Sequence, residues 1–257
     1  MEKIKWGIIG PGSIANNFAD GLLSSYSGQL VGIASKNDER RKSFGDKYNV
    51  HEDFRFETYE DIINSEHIDA IYISTPHTLH AEWTIKAAGK GKHVLCEKPG
   101  AVNYKEGKKV IDAVDQAGIF YMEGLMYRCH PQIPKLIELI KNKTIGDIIS
   151  IESSFGFDME EIIPDHRLFD KNLAGGGILD VGLYPVSFSR LVAGAATGNK
   201  FLEPEILNVD GKIGETGVDE IAHANLKFKN GIEAKVSTAI MMNMKNNATI
   251  TGTKGKI

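Results

Sequence analysis

The chain has 257 residues, 42 % of them apolar and 25 % charged, with a formal net charge of −4. That length suits about one or two domains, with a core that hides roughly 70–75 % of the unfolded surface. The mild negative charge leaves no electrostatic footprint for nucleic acid or an anionic membrane surface. The opening "MEKIKWGIIG" runs straight into a strand, Ile4–Ile9, without the apolar stretch and small-residue cleavage site of a signal peptide. Ile14, Phe18 and Leu22 then set helical spacing over Ile14–Leu23.

Strand and helix signals continue to alternate. Leu30–Ala34 reads as a strand, and Asp38 is expected to cap a helix reaching about Tyr48. Tyr59–Ile63 is a short helix, Ala70–Ser74 a strand, Leu79–Ala88 a helix and His93–Cys96 a strand. Asn103 is expected to cap a helix to about Ala117, followed by a strand at Ile119–Met122. Apolar strands interleaved with helices predict a parallel sheet covered on both faces, a doubly wound Rossmann arrangement. After Glu123 the texture changes. A helix over Pro131–Lys141 precedes longer strands at Ile148–Phe157, Glu205–Ile213, Glu220–Lys229 and Ile232–Thr238, with one helix at about Val181–Ala193. Asn230-Gly231 signals a hairpin between the last two. The expected fold is therefore α/β: a Rossmann domain over 1–122 and an α+β domain over 123–257 whose open sheet is largely antiparallel. No stretch reads as about 18 consecutive apolar residues, so no membrane-spanning helix is expected. Cys96 and Cys129 form neither a disulfide framework nor a zinc spacing. Both are expected to be reduced and mostly buried, as in a cytoplasm. No metal site is read.

"WGIIGPGSIANNF" holds Gly10-x-Gly12-x-x-Ala15 between a strand and a helix. Gly10 permits a tight turn, Gly12 leaves room for a pyrophosphate, and Ala15 lets helix and strand approach. The N–H groups at the helix start, around Ser13 and Ile14, then face the phosphates. An ordinary glycine turn is the plain alternative. At the end of the second strand, "ASKNDERR" puts Ser35 and Lys36 where an acid would bind a ribose 2′-hydroxyl, with Arg40 one turn on. That favours NADP over NAD. The plain alternative is a solvated helix face of Lys36, Arg40 and Arg41.

"CEKPG" places Glu97, Lys98 and Pro99 at the carboxyl end of an apolar strand, where open α/β sheets bind ligands. Alone, the Glu-Lys pair reads as a surface pair. A second stretch, "NLAGGGILDVGLYPVSF", changes that. Gly175–Gly177 is costly in chain entropy unless the backbone must pass close to something. Helical spacing then sets Asp180 and Tyr184 one turn apart, ready to meet a lysine from the first domain. An ammonium lowers a phenol's pKa from its ordinary value of about 10, and the phenol can then exchange an alcohol proton while hydride moves to or from a nicotinamide. An N-cap role for Asp180 and a core role for Tyr184 are the alternatives.

Together with "ISTPHTLHAEWTIKAAGKGKHVLCEKP", "EGLMYRCHPQIPKL" and "IGDIISIESSFGF", these stretches resemble the glucose–fructose oxidoreductase / inositol dehydrogenase / rhizopine-catabolism (Gfo/Idh/MocA) family, along essentially the whole chain. Within it the chain is most similar to the NADP-dependent dihydrodiol and D-xylose dehydrogenase branch, which carries Tyr where inositol dehydrogenases carry His. The resemblance implies an NAD(P)-dependent enzyme acting on CH–OH groups of a sugar, polyol or diol. It implies Lys98 as the central catalytic residue beside Asp180 and Tyr184, Glu97 near the nicotinamide, and a cis peptide before Pro99. It also implies that Ser74, Thr75, Pro76, His77 and His80 line the cofactor, although His80 alone reads equally as structural. Arg128 and Arg167 are substrate-side candidates, with salt bridges as the alternative.

Family members run on for several dozen more residues, adding strands and a final helix, whereas this chain stops at "ITGTKGKI". The expectation is an incomplete second domain with an exposed sheet edge, weakened in stability, and self-association through the open sheet face. An NAD-dependent glycosidase of the same family, a non-catalytic NADP-sensing module and an inactive fragment are the competing readings.

Overall fold

A computed structural model describes residues 2–257. The chain divides after Gly124 into two compact units. The first contains β1 (Ile4–Ile9), α1 (Ser13–Leu23), β2 (Gly28–Ala34), α2 (Asp38–Lys47), β3 (Arg55–Phe56), α3 (Tyr59–Asn64), β4 (Ala70–Ile73), α4 (His80–Ala88), β5 (His93–Cys96), α5 (Tyr104–Ala117) and β6 (Tyr121–Glu123). All six strands are parallel, in the order β3-β2-β1-β4-β5-β6. Strand order reverses between β1 and β4, which makes the edge beyond their carboxyl ends the ligand crevice. The apolar runs are buried on both faces. Ile8, Ile33 and Tyr72 pack with Ala15, Ala19 and Phe44 on one side, and Ile9, Ile71 and Ile73 pack with Ile62 and Trp83 on the other.

Side-chain caps start three helices of the first unit, α2, α3 and α5. The side chain of Asn103 accepts a hydrogen bond from Glu106 N at 3.0 Å, as its position predicts. The cap of α2 is Asn37 rather than Asp38: Asn37 Oδ1 accepts from Arg40 N at 2.8 Å. Asp38 is the first helical residue, and its carboxylate accepts from Arg41 Nη2 at 2.6 Å instead. Cys96 is buried, with its thiol pushed up to about 12 by burial, whereas Cys129 is exposed, contrary to expectation.

The second unit, Leu125–Ile257, contains α6 (Gln132–Lys141), β7 (Ile148–Gly156), α7 (Leu183–Ala195), β8 (Pro204–Ile213), β9 (Asp219–Phe228), β10 (Glu233–Ala239), β11 (Ala248–Gly252) and β12 (Gly255–Lys256). A π-helical turn over Ile178–Gly182 leads directly into α7. The sheet order is β12-β11-β7-β10-β9-β8, antiparallel except for the β7–β10 pair. Gly231, at a φ of +86°, turns the β9–β10 hairpin where Asn230-Gly231 signals it. Alternation settles which face is covered. Ile151, Leu226, Phe228, Ala234, Val236 and Ile250 pack with Leu136, Ile140 and Val192 of α6 and α7, while Glu152, Lys227, Glu233 and Lys235 stay exposed.

The segment Lys171–Ala195, which ends in the π-helical turn and α7, is long and apolar enough to cross a membrane by length and composition alone. Most of it is buried inside the unit, with Val192 and Ala193 in the sheet core, so it reads as a core helix.

Candidate functional site

Beyond β1 the chain turns at Gly10, whose φ of +79° favours glycine and whose added Cβ would crowd Thr75 N at 3.1 Å. Gly12 differs. Its φ of −100° suits any residue, and an added Cβ would meet only Gly10 O, at 3.8 Å. Nothing in the protein requires glycine there, so its small size serves the open space above the start of α1. That helix starts without a side-chain cap and without an acid in its first turn, so the N–H groups around Ser13 and Ile14 face that space uncompensated. Ala15 is fully buried where helix and strand meet. Across the crevice, Ser74 Oγ donates to Gly10 O at 3.0 Å. Thr75 Oγ1 is buried with no hydrogen-bond partner among the described residues. A free cradle beside an unpartnered buried hydroxyl fits a dinucleotide phosphate group.

At the end of β2, Ser35 is buried and its Oγ accepts from Asn37 N at 3.2 Å. Lys36 and Arg40 are exposed; the Lys36 ammonium stands 5.7 Å from the Tyr59 ring centroid. Burial pushes the Tyr59 phenol up, and the nearby Arg40 guanidinium pulls it back down. Arg41 is part of the scaffold rather than a solvated face, because its Nη1 donates to Ser35 O at 2.8 Å.

The turn after β5 is pinned at several points. Lys98-Pro99 is a cis peptide. His80, 1 % exposed, sets Nδ1 against Pro99 O at 2.8 Å and Nε2 against Thr75 O at 2.7 Å. Its two nitrogens are therefore spent on joining two backbone segments. Burial lowers its pKa, and the two carbonyls oppose that. Glu97 Oε1 accepts from the Tyr72 hydroxyl at 2.6 Å, and Glu123 Oε1 accepts from Gly100 N at 2.7 Å. Burial and Glu97 both push the Tyr72 phenol well above its ordinary value, so it remains a donor. Its ring stacks on Phe18 of α1, with centroids 4.1 Å apart. His77 is buried, Pro76 is exposed and Lys98 is half-buried.

In the second unit, Asp180 lies in the π-helical turn, 4 % exposed, and its Oδ1 accepts from Arg167 Nη1 at 3.0 Å. Gly177 holds the N-cap position, so Asp180 is not the cap. Arg167, half exposed, pairs with this carboxylate. Tyr184 follows one turn later, with its ring 6.1 Å from Tyr127 and 5.3 Å from Phe155. These rings line a cleft of about 670 Å³ with Phe188, Gln132 and Asn246. Arg128 is packed away from that lining: its Nη2 donates to Ser187 Oγ at 3.2 Å and its guanidinium lies 4.3 Å from the Phe201 centroid.

Comparison with known proteins adds identity to this geometry. A family model described as oxidoreductase family, NAD-binding Rossmann fold, matches residues 4–125, and the GFO/IDH/MocA C-terminal domain model matches 133–257. The chain belongs to the Gfo/Idh/MocA oxidoreductase family. Trans-1,2-dihydrobenzene-1,2-diol dehydrogenase of Mus musculus is 34 % identical over 98 % of this chain and 73 % of its own length. The Homo sapiens protein of that name is 30 % identical over 99 % of this chain and 73 % of its own. Among solved structures, aldose-aldose oxidoreductase from Caulobacter crescentus, complexed with glycerol, superposes with a TM-score of 0.88 at 28 % identity, covering 99 % of this chain and 76 % of that one. A 3-ketoreductase from Actinomadura kijaniata, in complex with NADP and TDP-benzene, gives 0.88 at 26 % identity, covering 99 % and 75 %.

As a member of the Gfo/Idh/MocA family the protein is an NAD(P)-dependent oxidoreductase with the dehydrogenase's Rossmann cradle. Sequence reasoning missed Tyr72, Phe18 and Glu123 around the Glu97–Pro99 turn, and Tyr127, Phe155 and Asn246 around Tyr184. Tyr72 sits inside an apolar strand and looks like core. The others act through contacts far apart in sequence. Among the described residues no three His, Cys, Asp or Glu side chains converge as metal ligands. Because Gly12 faces open space, Gly12→Ala is expected to cost the unliganded protein no more than about 1 kcal/mol in a denaturation curve. The same change should raise the Kd for NADPH about tenfold or more in a fluorescence titration, and unchanged affinity would contradict the cradle.

Proposed function

We propose that the protein transfers a hydride between NADP and a carbinol carbon of a sugar, polyol or cyclic diol, with Lys98 and Tyr184 handling the hydroxyl proton. The observation that carries this is the helical run that pairs a buried carboxylate, Asp180, with a phenol lining an aromatic cleft, Tyr184. Bound NADP supplies the hydride acceptor or donor. Gly10, Gly12, Ser13 and Ile14 hold its pyrophosphate, and Thr75, Pro76, His77 and Glu97 line its path, with His80 fixing the backbone behind them. Lys98 and Tyr184 take the hydroxyl proton on oxidation and return it to the carbonyl oxygen on reduction. Asp180, paired with Arg167, orients Tyr184 one turn on. Three features support the substrate class. Relatives are named as a dihydrobenzenediol dehydrogenase, an aldose-aldose oxidoreductase and a 3-ketoreductase, aromatic rings offer faces to a ring substrate, and the Gln132 and Asn246 amides suit hydroxyls. Arg167 is kept as a substrate-side group through its exposed half; Arg128 acts behind the cleft, on Ser187 and Phe201.

Lys36 and Arg40 support NADP over NAD, because both cations are exposed at the end of β2 where an acid would select the 2′-hydroxyl. A cytoplasmic location belongs to the same proposal. So does self-association through the second sheet, whose edge strand β8 exposes Ile206, Val209 and Ile213.

Lys98→Ala or Tyr184→Phe is expected to lower kcat by about 10²–10⁴ while NADPH still titrates normally. Near-normal turnover in both would refute the roles. The double change Lys36→Ala with Arg40→Ala should weaken NADPH about tenfold and leave NADH within about twofold, as direct titration with each cofactor would show. Equal losses for both cofactors would reject the 2′-phosphate reading.

A further inference from the structure

The run that carries Asp180 and Tyr184 begins at Gly177, a residue with no side chain to cap it. Helices whose first N–H groups are left bare lose stability and definition at that end. Here the missing acceptor comes from Asp219 at the start of β9, whose Oδ2 accepts from Ile178 N at 2.7 Å. The three glycines are shaped around this contact. Gly176 has a φ of +108°, and any Cβ on it would collide with Asp219 Oδ1. A Cβ on Gly177 would approach Asp219 Oδ2 at 3.3 Å, and one on Gly175 would strike Leu168 O. β10 adds a second tie: Thr238 Oγ1 donates to Gly177 O at 3.2 Å, and Thr238 Cγ2 lies 3.1 Å from where a Gly182 Cβ would stand. Burial pushes the Asp219 carboxyl up, and the N–H groups of Ile178, Asp219 and Gly177 pull it back.

We propose that Asp219 is a positioning residue for the run that carries Asp180 and Tyr184: its carboxylate, delivered by β9, caps that run from a distance and sets where the two side chains stand against the sheet. Neither carboxylate oxygen of Asp219 need touch substrate. Its effect passes through the backbone at Ile178, two residues before Asp180 and six before Tyr184. The proposal rests on the reading of Asp180 and Tyr184 given above. A misplacement of about 1 Å at a reacting group costs on the order of a hundredfold in rate, so loss of the anchor should appear in kcat.

The test compares Asp219→Ala, Asp219→Asn and Tyr184→Phe, using NADP with D-xylose and with trans-1,2-dihydrobenzene-1,2-diol. Asp219→Ala is expected to lower kcat about ten- to a hundredfold, leaving KM and the NADPH Kd within about twofold. Asp219→Asn, which keeps a carbonyl acceptor of the same reach, should recover most of that loss. Amide hydrogen exchange over 176–184 should quicken about tenfold in the alanine variant and not in β7 or β10, a readout independent of turnover. If the alanine variant does not fold, Asp219→Ser, with its shorter acceptor, takes its place. Full kcat together with unchanged exchange in the alanine or serine variant overturns the positioning role. A kcat loss matched by equal losses in KM and NADPH binding also overturns it, since that is general unfolding. If Tyr184→Phe kills turnover while Asp219→Ala does not, only the positioning fails. If Tyr184→Phe stays active, the proposed acid–base roles fail, and the positioning with them.

Discussion

One buried imidazole holds the first unit's binding edge together. His80 faces Thr75 O with one nitrogen and Pro99 O with the other, so the segment after β4 and the turn after β5 are fixed to the same rigid ring. Burial favours the neutral ring, which donates through one nitrogen only, so one carbonyl accepts its hydrogen bond while the other is held in contact. Two segments that face the cofactor crevice are held by this strut. Thr75 crowds Gly10 on one side, and on the other Pro99 is joined to Lys98 through the cis bond and to Gly100, which Glu123 holds. Tyr72 completes the frame by tying Glu97 to the sheet and by stacking on Phe18 of the cradle helix.

The second unit solves the same problem by different means. Instead of a side chain between two carbonyls, a carboxylate and a hydroxyl from neighbouring strands seize a glycine-rich backbone. In both units the groups proposed to do chemistry are carried on stiff elements whose backbone is held by residues remote in sequence. Preorganisation of this kind is what lets a few polar side chains act on a substrate without first being ordered by it.

Features written in consecutive residues were legible. The Gly10–Ala15 cradle, the Asn103 cap, the Asn230-Gly231 hairpin and the parallel run of apolar strands each follow from local periodicity or from a residue's own backbone preferences. The Gly175–Gly177 run announced that backbone would pass close to something, but not that the something is Leu168 O and the Asp219 carboxylate. Asp38 and Asn37 are both good caps, and only geometry chose between them. A salt bridge is one reading of Arg167, but its partner Asp180 is seen only in the structure, and Cys129 reads as buried until the structure shows it exposed. The residues that frame the site, such as Tyr72, Glu123 and Asp219, look like ordinary strand positions because their partners lie far along the chain.

Hydride transfer itself is the claim on which the rest converges. It is tested most directly by incubating the protein and NADP with substrates deuterated at the carbinol carbon, including [1-²H]-D-xylose and ring-deuterated trans-1,2-dihydrobenzene-1,2-diol, and then weighing the reduced cofactor by mass spectrometry. Reduced cofactor one mass unit heavier, with the label on C4 of the nicotinamide, is the expected result. Oxidised substrate with no deuterium on the cofactor, or no reduced cofactor from any member of the set, would contradict it.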